Sequence, residues 1–218
     1  MTDPRSWLQI TNIEMHLITK SKLAVLAFTL LYVGVFAWYY LSVQNYEFLW
    51  YIATLIVFVI IIAGTLHLSR FPDWILWLLS FWGLLHMAGG GVPVDGSVLY
   101  AYVVYPFITD GELLILKFDQ IVHMFGFGVS AVVLHYLLQP KLSVSPFWLS
   151  TVAVLGAMGL GCLNEIIEFI AVVALSETGV GGYYNIALDL VFNTLGAIIA
   201  VMLVSLKRVD NTAPARTY

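Results

Sequence analysis

Seven polar side chains stand in apolar surroundings where a membrane-compatible helix should carry none, and their spacing is helical. The stretch "FDQIVHMFGFG" holds Asp119 and His123, four residues apart and so on one face. "LNEIIEF" holds Asn164, Glu165 and Glu168, with Asn164 and Glu168 one turn apart and Glu165 beside Glu168 at a spacing of three. "LDLVFNTLGA" holds Asp189 and Asn193, again four apart. His86 in "GLLHMAGG" could join them. Carboxylates with one or two imidazoles can coordinate a divalent cation, pass protons among themselves, or act as general acid and base on a polar headgroup. For a metal the candidate ligands are His123 with Asp119, Glu165, Glu168 and Asp189, although no HExxH or Glu-x-x-His pair is present. No haem is expected, because no spaced histidine pairs recur on two helices. The plainer alternative is that these groups only hydrogen-bond across helices and fix their packing.

The elements that must position these groups are membrane spans. Of the 218 residues, 61% are hydrophobic and 10% charged, and the mean hydropathy is +0.94. Soluble domains carry roughly a quarter charged residues, so this composition excludes an ordinary soluble fold. Apolar runs long enough to cross a bilayer fall at about residues 24–43, 48–68, 74–88, 119–138, 147–175 and 184–206. The expected fold is therefore all-α: a polytopic transmembrane bundle of six helices over 23–207. The third run is short, and the fifth must tilt, bend near Gly156, Gly159 and Gly161, or project from the bilayer. The first helix reads as retained, since no small-residue cleavage site closes its apolar run. Thirteen acids against nine bases give a net charge of -4, which argues against nucleic acid as a partner. A single cysteine, Cys162, excludes an intrachain disulfide and a multi-cysteine metal site.

Basic residues near span ends stay on the cytoplasmic side. With both termini inside, residues 1–22 form a cytoplasmic segment, 208–218 a disordered cytoplasmic tail, and 89–117 an outer loop. Arg5, Lys20, Lys22, Arg70, Lys141, Lys207, Arg208 and Arg216 are then inside and only Lys117 outside. The expected location is the inner (plasma) membrane, multi-pass. This orientation places all seven polar residues in the outer half of the bilayer, with His123 and Asp189 on the order of 7 Å below its boundary. Trp38, Tyr39, Tyr40, Trp50, Tyr51, Trp74, Trp148, Tyr183 and Tyr184 fit an aromatic belt. His67 and His135 are expected at cytoplasmic helix ends. Gly126, Gly128, Ala157 with Gly161, and Gly196 with Ala200 are expected at close helix contacts. The loop opens with Gly89, Gly90 and Gly91, passes Pro93 and an Asp95-Gly96 turn signal, and carries Val98, Leu99, Tyr102, Val103, Val104 and Tyr105. So much apolar surface favours a packed or interfacial segment, which could serve as a lid.

Over about residues 80–200 the chain resembles bacterial inner-membrane proteins of the YjdF-like type and, more distantly, VanZ-like proteins. "DQIVHMFGFG" resembles their Asp-x-x-x-His-x-x-x-Gly helix, and "NEIIEF" their Glu-x-x-Glu-aromatic segment. "DLVFNTLGA" resembles the closing Asp-x-x-x-Asn-x-x-Gly-Ala helix of VanZ-like chains, and "LLHMAGG" with "YAYVVYP" the stretch around the long loop. The chain departs from the YjdF-like pattern before its last helix, where "ETGVGGYYNIALD" replaces a Gly-Thr-Gln-Gly-Asp type segment. The YjdF-like resemblance implies no known activity. The VanZ-like one implies an association with resistance to glycopeptide antibiotics at the outer face, and hence a cell-envelope headgroup as a candidate ligand.

Three functions follow as expectations. The first is an integral membrane protein whose cluster binds a polar ligand, a cation, or a lipid or cell-wall headgroup. The second is a metal-assisted enzyme acting on a lipid or cell-envelope precursor, with His123 as acid or base. The third is a small proton-coupled transporter, disfavoured by the scarcity of ionisable residues in the inner halves of the spans.

Overall fold

The computed structural model describes residues 19–110, 113–174 and 182–212, and its described elements are six long helices and two small hairpins. The chain divides into two compact units, 1–91 and 92–218. All six helices are long and apolar enough to cross a membrane. The N-terminal segment 1–18, residues 175–181 and the end 213–218 lie outside the described residues.

The first unit holds α1 (Lys20–Ser42), α2 (Tyr46–Ser69) and α3 (Asp73–Gly91). Side-chain oxygens cap the first two: Thr19 accepts from the Lys22 amide at 3.1 Å and Asn45 from the Phe48 amide at 3.3 Å. α1 packs mainly on α3, and buried hydroxyls tie the pair. Thr29 meets Ser80 at 2.6 Å, Tyr32 donates to the Ser80 carbonyl at 3.1 Å, and Tyr40 donates to the Met87 carbonyl at 2.5 Å. Tyr40 is thus a fully buried core residue and not part of the aromatic belt, because its ring fills space beside glycine. Gly89–Gly91, expected to open the loop, instead complete α3. A Cβ on Gly90 would strike the Phe48 ring, and one on Gly91 would meet the Phe36 ring and the Tyr40 hydroxyl. Including these glycines gives α3 19 residues, enough to span.

The second unit begins with a two-residue hairpin, β1 (Pro93–Val94) and β2 (Ser97–Val98), turned by Asp95 and Gly96 at φ 49° and 81°. A 3-10 turn (Leu99–Ala101) leads to β3 (Val103–Asp110), antiparallel to β4 (Leu113–Lys117). Val103 pairs with Lys117 and Ile108 with Ile115, so four residues of β3, Val104 to Phe107, oppose Leu116 alone. Here the tilted, contacting rings of Tyr105 and Phe107 are 57% and 66% exposed, a placement that suits a water–lipid boundary.

From Lys117 the chain enters α4 (Phe118–Leu138), followed by α5 (Pro146–Ala174) and α6 (Tyr183–Thr212). α5 is helical through Gly156, Gly159 and Gly161, and α6 runs on to Thr212, beyond the expected end near 207. Each helix turns inward a stripe of residues spaced four apart: His123, Phe127, Ala131 and His135 on α4; Ala153, Ala157, Gly161 and Glu165 on α5; Asn185, Asp189, Asn193, Ala197 and Val201 on α6. His135, expected as an interfacial histidine, is buried within this stripe. Ala131, Ala153, Ala157, Ala197 and Val201 form an apolar core, flanked by Leu134 and Val154. Leu155, Leu163, Ile166, Ile167 and Ile170 on the other side of α5 are exposed, as lipid-facing residues should be.

Glycines set the distance between α4 and α6. A Cβ on Gly196 would run into the Met124 carbonyl, and one on Gly128 would lie 3.0 Å from the Gly196 carbonyl oxygen. A Cβ on Gly159 would meet nothing within 4 Å. Gly196→Ala should therefore destabilise the folded protein by about 1–3 kcal/mol through overpacking, whereas Gly159→Ala should stay within about 0.5 kcal/mol of wild type. Unfolding midpoints of the two variants in the same lipid or detergent provide the comparison.

Candidate functional site

The polar ends of the three stripes meet in the second unit because α4, α5 and α6 alternate in direction. Asp119 and His123 start α4, Glu165 lies late in α5, and Asn185, Asp189 and Asn193 start α6. His123, Glu165 and Asp189 are five or six residues from the ends of their spans, hence about 8–9 Å deep at 1.5 Å per residue. The entry into α4 is fixed by Gln120, which is fully buried. Its side-chain oxygen accepts from the amides of Leu116 at 3.3 Å and Lys117 at 3.1 Å. This holds the chain at Leu116, whose φ of 81° is uncommon for a side chain branched like leucine. Strain of that kind persists only where neighbours enforce it, and here it aims Asp119 and His123 inward.

His123 is the joint of the site. Its Nδ1 lies 3.1 Å from Oδ1 of Asn193 and 3.3 Å from Oε1 of Glu165, while its Nε2 lies 3.6 Å from Oδ1 of Asp119. Asn193 also donates through Nδ2 to Oε1 of Glu165 at 3.5 Å. Asn185 links the two aspartates, donating to Oδ2 of Asp119 at 3.0 Å and to Oδ2 of Asp189 at 2.6 Å. The Lys117 ammonium donates to Oδ1 of Asn185 and so orients the amide nitrogen toward the acids. Asp189 is 0% exposed and Glu165 3%, yet among the described residues Oδ1 of Asp189 and Oε2 of Glu165 are buried without a hydrogen-bond partner. One ligand atom from each of Asp119, His123 and Asp189 lies within 4.8 Å of the others.

Of the residues singled out in the sequence, Asp119, His123, Glu165, Asp189 and Asn193 come together. Asn164 donates instead to Glu168 within α5 at 2.8 Å, and neither is among the three grouped ligands. His86 belongs to the first unit, where its ring packs edge-on against Tyr51 at 5.1 Å. Three residues of the site are not evident from the sequence. Asn185 carries a signal, since it stands one turn before Asp189 and extends the Asp189–Asn193 stripe. Lys117 stands out only as a lone outer base. Gln120 gives no sign, because its role depends on how β4 joins α4.

The family described as predicted membrane proteins, DUF2238, matches the chain over residues 24–210. The chain belongs to this family. The matched range contains every residue of the cluster and nearly all of the six spans. This DUF2238 protein is a multi-pass membrane protein. No curated protein and no solved structure matches it.

Two acceptors face Nδ1 of His123, so a neutral ring at this site carries its proton on Nδ1. Nitrogen-15 spectra of histidine-labelled protein should show that tautomer for His123. A Cβ on Gly161 would lie 2.8 Å from Nδ2 of Asn193. Gly161→Ala should therefore displace the amide, shift the His123 resonances, and cost about 1–3 kcal/mol through the hydrogen bonds lost in a buried setting.

Proposed function

We propose that this protein holds a divalent cation inside its membrane domain, with Asp119, His123 and Asp189 as the residues that touch it. One observation carries this reading: the three groups are within ligand-sharing distance at a depth where ionisable side chains are expensive. Two carboxyl groups and an imidazole converge where an ionised side chain is costly, and a divalent cation would balance the negative charge that the acids carry as ligands. Crowding acids together merely to pack helices would incur that penalty without any compensating gain. The basic residues flanking the spans support an inner-membrane location with the site toward the outer face. Three protein ligands leave coordination positions for water or a ligand oxygen, which supports a second reading: metal-assisted chemistry on a lipid or cell-envelope headgroup.

The cation reading is tested on the purified full chain in nanodiscs. Elemental analysis should find about one divalent metal per chain, and chelation should lower the unfolding midpoint. Restoring a cation at one hundred times its dissociation constant should return about 2.7 kcal/mol. Asp189→Asn should remove both the metal and the response, whereas Asp95→Asn, on the exposed β1–β2 turn, should change neither. A wild-type protein free of metal, with a midpoint indifferent to added divalent cations, would overturn the proposal.

A further inference from the structure

The residues around the three ligands carry more information than the ligands themselves, because they determine which atoms remain available. Asn185 engages Oδ2 of Asp119 and Oδ2 of Asp189. Its own oxygen is taken by the Lys117 ammonium, so the amide cannot reverse without losing that bond and turning its oxygen toward two acids. The second oxygen of each aspartate, Oδ1, is not engaged by Asn185. On Asp189 that atom is buried and has no hydrogen-bond partner on a side chain with no exposure. On Asp119 it faces Nε2 of His123 at 3.6 Å.

The imidazole is constrained in the same way. Asn193 and Glu165 both offer acceptor oxygens to Nδ1, which places the proton of a neutral ring there and leaves a lone pair on Nε2. Metal-binding histidines commonly donate their second ring nitrogen to a carboxylate or carbonyl, which fixes the tautomer and makes the ligating nitrogen more basic. The separation of Nε2 and Asp119 Oδ1 is close to the about 3.4 Å expected between two ligands of a tetrahedral ion with bonds of about 2.0–2.2 Å. Magnesium and calcium prefer oxygen-only sets, and calcium takes six or more ligands, whereas imidazole with few carboxylates suits zinc and its first-row neighbours.

Resting on the cation reading above, we infer that the site selects a transition metal of the zinc class, with His123 Nε2, Asp119 Oδ1 and Asp189 Oδ1 as ligands and with Glu165 and Asn193 positioning the imidazole from its far side. Glu165 is a positioning residue here and not a ligand. That role separates it from Glu168, whose carboxylate is bonded to Asn164.

The test uses the full chain in nanodiscs, stripped with chelator and titrated separately with Co²⁺, Zn²⁺, Mg²⁺ and Ca²⁺. One equivalent of Co²⁺ should give the visible d–d absorption of a four- or five-coordinate ion. Zn²⁺ should abolish it stoichiometrically, and a hundredfold excess of Mg²⁺ or Ca²⁺ should not. His123→Ala should lose the absorption. Glu165→Gln should retain it with an altered band shape and about 10–100-fold weaker affinity, and Glu165→Asp should recover part of that loss. If Mg²⁺ or Ca²⁺ displaces Co²⁺ at comparable concentration, the selectivity inference fails while the cation reading stands. It fails in the same way if a folded His123→Ala protein keeps the spectrum. If none of the four ions binds, both fail. The wild-type competition decides the matter even where a variant does not fold.

Discussion

In hydrocarbon a polar group has no water to fall back on, so each one must find its partner within the protein. The contact of His123 with Glu165 and Asn193 answers that demand for three helices at once: one ring nitrogen of α4 meets a carboxylate of α5 and an amide of α6. The rest of the second unit is arranged to allow it. Gly161 leaves room for Asn193 against α5, and Gly196 and Gly128 let α4 and α6 approach until their backbones touch. Alanines continue the same stripes toward the opposite end, where Ala131, Ala153, Ala157 and Ala197 close the core. Small residues draw the helices together, and the polar residues are then close enough to bond.

The two ends of these stripes differ in what they can do. At the alanine end Ala131, Ala153, Ala157, Ala197 and Val201 are held by apolar packing. At the polar end the hydrogen bonds stop short of completion, leaving buried carboxylate oxygens on Asp189 and Glu165. An incomplete network in a membrane core is harder to justify as scaffolding than a complete one, since the same helices could be held by small residues alone. The turn from β4 into α4 points the same way. Gln120 commits its buried oxygen to holding Leu116 in a left-handed conformation, a large penalty for a connection unless the first turn of α4 must be aimed.

Much of this was legible in the sequence. The spans follow from run length and hydropathy, and the structure moves their ends only modestly. One shift is at Gly89–Gly91, where glycine reads as a loop signal but serves to admit the rings of Phe36, Tyr40 and Phe48 against a helix. Tyr40 misleads for the same reason: a tyrosine near a span end resembles an interfacial anchor until the carbonyl that accepts its proton is known. Asp119, His123, Glu165, Asp189 and Asn193 could be nominated from helical spacing because charge inside a span is conspicuous. Lys117, Gln120 and Asn185 could not be given their roles, since a lysine, glutamine or asparagine at a helix entrance is ordinary by itself.

What the sequence determined by itself is the address and the periodicity: helices that belong in a bilayer, and polar faces that repeat every four residues along three of them. Those properties are local, fixed by hydropathy and by 3.6 residues per turn. Tertiary structure decided the assignment of atoms within the cluster. Glu165 and Glu168 are equivalent in composition and three residues apart, yet one reaches His123 across the bundle while the other bonds to Asn164 on its own helix. Likewise Asn185 binds one oxygen of each aspartate, while the other faces His123 on Asp119 and has no hydrogen-bond partner on Asp189. Which lone pairs remain open depends on how the helices rotate and approach, which glycines such as Gly161 and Gly196 permit, and no single segment encodes it.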